Sequence, residues 1–153
     1  MMATALAPTG ALCAFLSLWT GALWGKPMWG TYWVWDPRLT AQLILLFLYL
    51  GFMGLRASID DVSRADRASA VLALVGVVNL PIIRYSVEWW NSIHQAPSVM
   101  KMDRPSMPFD MLAPLLAMLL GFSLYFGAVL LIRLRAEILR RERNASWIRE
   151  ELT

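Results

Sequence analysis

The sequence predicts an all-α, polytopic membrane protein: a bundle of four transmembrane helices with both termini on the cytoplasmic side. Three observations predict it. Hydrophobic residues make up 58% of the 153 and charged residues 16%, against about a quarter charged in ordinary soluble domains. Four apolar runs, at roughly residues 4–23, 39–57, 68–87 and 109–132, each approach the ~20 residues that a helix needs to cross the hydrocarbon core. The arginines are unevenly placed: Arg56, Arg64 and Arg67 lie between the second and third runs, and Arg133, Arg135, Arg140, Arg141, Arg143 and Arg149 follow the fourth. Under the positive-inside rule those two stretches face the cytoplasm, so segments 24–38 and 88–108 lie outside.

Each element has its own signals. No basic residue precedes the first run and no small-residue cleavage site follows it, so it reads as a span rather than a signal peptide. Its Cys13 is the single cysteine, which excludes an intrachain disulfide and a Cys-x-x-Cys haem-attachment or redox motif. The second run opens with Asp36-Pro37, a side-chain cap followed by a proline at the first helical position. The third run can be capped by Asp66 and is the least lipid-like, because it carries Asn79, Pro81 and Arg84. Pro81 should kink it, and the Asn79 amide should bond across helices. Glu88-Trp89-Trp90 can continue that helix along the interface before an irregular loop containing Pro97, Pro105 and Pro108. After the fourth run, Glu137 and Arg141 stand four apart, which supports a helix running on into the cytoplasm as tail 133–153 and resting on anionic lipid.

The function classes narrow accordingly. The net charge of +3 and pI near 9.4 serve topology, and nucleic acid is not the expected partner. No phosphate-binding Gly-x-x-x-x-Gly-Lys loop, Gly-x-Ser-x-Gly elbow, His-Glu-x-x-His or paired-Cys metal motif occurs, so a self-sufficient enzyme is not expected.

What stands out is Trp24-Gly25-Lys26-Pro27-Met28-Trp29-Gly30-Thr31-Tyr32-Trp33-Val34-Trp35-Asp36, which holds four of the eight tryptophans. One reading is an interfacial aromatic belt, which needs no ligand. The other is a platform for a planar, largely apolar ligand with acidic groups, a description that haem meets. Trp89 and Trp90 lie on the same side and can join either. His94 is the single histidine; it is an ordinary loop residue or an axial donor to haem iron, since no partners exist to complete a zinc site. Asp36 reads first as a helix cap and second as a ligand contact. Lys26, Arg38 and Arg84 are head-group anchors or partners of propionates.

These residues carry a resemblance. The run from Trp24 to Asp36, followed by Arg38-Leu39-Thr40, resembles the tryptophan-rich WWD signature of haem-handling proteins. Val78-Asn79-Leu80-Pro81-Ile82 and Ser86-Val87-Glu88-Trp89-Trp90 through His94-Gln95 resemble a second signature, that of the haem exporter protein C family of cytochrome c maturation system I. The resemblance covers nearly the whole chain. It implies non-covalent, b-type haem held on the periplasmic face of a bacterial inner membrane, near Trp29, Trp33 and Trp35, with His94 matching one of two axial histidines. It implies delivery to a periplasmic haem chaperone, together with ABC-type transporter subunits and a small single-span stabilising subunit. Members of that family have six spans, with the other axial histidine between the first two. The first run here is therefore expected to match the family's third, and the second iron ligand is not among these residues. A permease subunit for haem or another solute, and a structural assembly subunit without a ligand, are the alternatives.

Overall fold

The computed structural model describes residues 1–95, 99 and 106–142. Readings that fall on 96–98, 100–105 and 143–153, including the second half of the outer loop and the end of the tail, lie outside it. Among the described residues the architecture is the predicted one, all-helical, with four helices long and apolar enough to cross a membrane: α1 (Met2–Trp29), α2 (Pro37–Ser58), α3 (Val62–Trp89) and α4 (Phe109–Arg141). The protein is a multi-pass membrane protein. By contacts it divides into two compact units, one within Ala7–Ala96 and one drawn from Met1–Leu6 and Pro97–Thr153.

The first unit holds most of α1 with α2 and α3. On α1, Ala7, Ala11, Ala14 and Leu18 are buried, at steps of four, three and four, which places them on one helical face. Leu12, Phe15, Leu16, Trp19 and Leu23 are exposed, as a lipid-facing side requires. At Gly10 a Cβ would fall 2.5 Å from the Tyr49 ring, so the missing side chain lets α1 meet that ring of α2. α2 and α3 pack on one another, and their buried residues are Ala41, Phe52, Ala65, Ser69, Asn79 and Ser86. Most of these are small, which is what allows close approach where lipid gives no hydrophobic drive. Asn79 Nδ2 donates to the Ala41 carbonyl at 2.9 Å, the expected cross-helix bond. Hydroxyls in the helices settle onto carbonyls four residues back, as Thr20 does on Leu16 and Ser69 on Ala65.

Two sequence expectations need correction. The cap of α3 is Asp61, whose carboxylate accepts the Arg64 amide at 2.6 Å. Asp66 lies inside the helix and pairs with Arg56 at the end of α2, because α3 starts a turn earlier than its apolar run does. Segment 24–38, expected as an outer loop, is helical in its first part, since α1 runs through Trp24 and Lys26 to Trp29 with Pro27 in its last turn. It stops at Gly30, whose φ of +76° suits glycine alone and whose N–H bonds the Lys26 carbonyl at 3.0 Å.

In the second unit, α4 is largely apolar from Met111 to Ile132 and turns charged towards its C-terminal end. There Glu137 accepts from Arg140 Nε at 3.0 Å and from Arg141 Nε at 2.7 Å, the helical pairing that the spacing anticipates.

Candidate functional site

The extension of α1 is what builds the site. Trp24 and Trp29 ride on its last turns and meet edge to face, with ring centroids 5.2 Å apart. Across from them, the segment after α3 brings His94 to Trp29 at 5.1 Å between ring centroids, inclined by 62°. These rings line one side of a cavity of about 590 Å³, within the range usual for small-molecule sites. Trp24, Met28, Trp29, Ile93 and His94 form its aromatic and apolar wall. Arg38 enters from the first turn of α2, and Ser17 and Gln42 add polar atoms deeper along the helices. Among the described residues no carboxylate pairs with the Arg38 guanidinium, so it can meet an acidic group of a ligand.

Asp36 ties the two halves together. It is 3% exposed. Its Oδ2 accepts the Arg38 N–H at 3.0 Å, the capping bond of α2. Its Oδ1 accepts the Ile93 N–H at 3.0 Å, and Oδ2 lies 3.1 Å from His94 Nδ1. The Ser92 hydroxyl also bonds it, and Ser92 Oγ in turn accepts the His94 N–H at 3.1 Å. Burial pushes the Asp36 carboxyl up, but the bonds from Ser92, Ile93 and Arg38 and the neighbouring His94 outweigh it and hold the group below its usual value of 3.8. With Nδ1 facing Asp36, Nε2 is the imidazole nitrogen left to bind a metal.

The other candidates stand apart from this cavity. Trp33 and Trp35 form their own edge-to-face pair at 5.6 Å, and Trp35 is 76% exposed. Trp89 stacks on Tyr85 at 5.5 Å and meets Trp90 at 5.8 Å, the geometry of an interfacial cluster. Lys26 Nζ donates to the Gly30 carbonyl at 3.0 Å and sits 5.2 Å above the Tyr32 ring, so it closes the end of α1. Arg84 pairs with Glu88 on its own helix at 3.1 Å. Of the three indoles expected near the ligand, Trp29 lines this cavity beside Trp24, while Trp33 and Trp35 do not. Met28, Ser92, Ser17 and Gln42 carried no sequence signal, since each is ordinary at its position.

No group of three or more His, Cys, Asp or Glu side chains that could cage a bare metal ion occurs among the described residues. Residues 1–149 match the family described as Heme exporter protein C. The chain belongs to that family.

Heme exporter protein C of Bradyrhizobium diazoefficiens is 57% identical over 139 residues, an alignment that covers 91% of this chain and 53% of that protein. The proteins of the same name from Haemophilus influenzae and Escherichia coli K12 are each 49% identical, over 95% of this chain and 59% and 58% of theirs. The chain thus spans a little over half the length of these curated relatives.

Proposed function

We propose that this chain binds haem non-covalently on the outer face of the bacterial inner membrane and hands it to a periplasmic haem chaperone during assembly of c-type cytochromes. ABC-type transporter subunits and a small single-span subunit are its partners in this reading, and haem is the cargo. The observation that carries it is the state of the single histidine: His94 lines a cavity walled by Trp24 and Trp29, with its Nδ1 3.1 Å from a buried carboxylate. An imidazole held in that way offers Nε2 to iron, and flat aromatic walls suit a porphyrin.

The roles divide by chemistry. Nε2 of His94 is the axial donor. Trp24, Trp29 and Met28 exclude water from the face of the macrocycle, which strengthens every polar contact made there. Arg38 offers a planar fork to a propionate. Trp33 and Trp35 supply aromatic surface for the outer edge of the ligand. Release would break the coordinate bond from Nε2 as the acceptor supplies a donor of its own, with no bond within the chain or the porphyrin changed.

The test is substitution of His94 with alanine. Haem that co-purifies with the variant should show shifted absorption bands and reduced yield, and added imidazole should restore part of the original spectrum. An unchanged spectrum with unchanged yield would make His94 an ordinary loop residue and remove the axial ligand from the reading.

A further inference from the structure

We infer that Asp36 is the positioning residue of this site: its carboxylate holds His94 as the Nδ1–H tautomer and so keeps Nε2 bare for iron. The inference rests on the haem-binding reading above and adds to it a second residue, which acts through the first.

Capping α2 does not account for what Asp36 does. A cap needs one bond, and the Arg38 N–H at 3.0 Å supplies it. The other partners, Ser92, Ile93 and His94, come from a segment 56–58 residues further along the chain. A carboxylate that is 3% exposed must collect such bonds or be expensive to bury. Here it collects them from the segment that bears the candidate ligand.

The consequence for His94 follows from donor and acceptor chemistry. An ionised carboxylate only accepts, so the proton between Oδ2 and Nδ1 sits on the ring nitrogen. A neutral ring carries one proton, which leaves the Nε2 lone pair free. Rotation of the ring is restrained on a second side by the Trp29 indole, at 5.1 Å. Metal-binding histidines commonly donate their other N–H to a carboxylate, which fixes the tautomer and makes the ring a stronger donor. A stronger donor favours ferric over ferrous haem.

Asp36→Asn separates this role from capping, because Asn caps helices as well as Asp does. Haem-free protein labelled with ¹⁵N-histidine gives one imidazole spectrum, since the chain has one histidine. The unsubstituted protein should show protonated Nδ1 and bare Nε2, and Asp36→Asn should show both tautomers. With ferric haem added, Asp36→Asn should weaken binding by about 10- to 100-fold and raise the reduction potential. Asp36→Glu, which keeps the carboxylate, should recover part of both shifts.

A dominant Nε2–H tautomer in the unsubstituted protein would overturn the inference without any variant needing to fold. So would the same tautomer and potential in Asp36→Asn. If His94→Ala changes the haem spectrum while Asp36→Asn changes nothing, this inference fails alone. If His94→Ala also changes nothing, the haem-ligand reading fails with it.

Discussion

At Gly25 the site depends on an atom that is not there. A Cβ at that position would lie 3.1 Å from Trp29 Cε3 and 3.4 Å from the Thr31 carbonyl, so the bare backbone lets the indole fold back along its own helix. The wall formed by Trp29 and Trp24 follows from that placement. Trp29→Ala should therefore cut haem retention several-fold, since an aromatic contact contributes about 1 kcal/mol beyond its area. Trp35→Ala, on the exposed pair, should cut it less, and the opposite ranking in co-purified haem would move the ligand to the outer pair. Asp36 adds a pH dependence. Its carboxyl is held below the usual 3.8 in the folded protein, so its contribution to stability is fully present above that value and is lost as pH falls below it. Proteolysis of the haem-free outer segments should accelerate below about pH 4, and Asp36→Asn should flatten that dependence; equal slopes would mean that the clasp does not hold the loops. The residue types of this site were legible in the sequence: tryptophans crowded beside glycine, one histidine on the same face, and an acid before a proline. Which indoles share a cavity was not, because that depends on how far α1 extends. Pro27 signals a break, yet a proline in a last turn sacrifices a single bond, and the chain turns only where Gly30 adopts positive φ.

Among the elements, α2 and α3 form the scaffold to which both halves of the site are attached. Asp36 stands at the start of α2 and Ser92–His94 follow the end of α3, so a fixed α2–α3 register fixes the distance between them. Asn79 is the polar pin in that register, through its bond to Ala41 five residues beyond Asp36. Replacing it with leucine should cost about 0.6 kcal/mol and at most about 2 kcal/mol, read as a lower midpoint of thermal unfolding in detergent. Haem retention should fall less than in Asp36→Asn. A drop in retention without any loss of stability would place Asn79 in the ligand site instead. This pin could be anticipated from the sequence, because an amide inside an apolar helix has few other uses. The start of α3 could not, because Asp60, Asp61 and Asp66 are three possible caps and hydropathy points to the one nearest the apolar run. Helix α3 instead gains a further turn in which the Asp61 carboxylate accepts the Arg64 N–H and Asp66 meets Arg56, polar bonds to which a hydropathy reading is blind.

On the scale of the whole molecule, the argument turns on which side of the membrane the cavity faces. Four spans among the described residues were legible because each helix is a long apolar run, and no residue of the spanning window of α4 is buried. Orientation rests on the arginines alone. Several of them are engaged with acids, Arg56 with Asp66 and Arg140 and Arg141 with Glu137. That pairing does not weaken the bias, because topology follows the count of Lys and Arg near span ends, and acidic residues contribute little. The proposed reading therefore puts the α2–α3 turn and the end of α4 inside, and the cavity beside His94 outside. In a Cys13→Ser background, a cysteine at Asn91, an exposed position two residues after α3 ends, should react with a membrane-impermeant thiol reagent added to sealed cells. A cysteine at Ser63, exposed in the first turn of α3, should react only after the membrane is opened. Labelling of Ser63 but not Asn91 in sealed cells would put Trp24, Trp29 and His94 on the cytoplasmic face, where no periplasmic chaperone could receive a ligand from them.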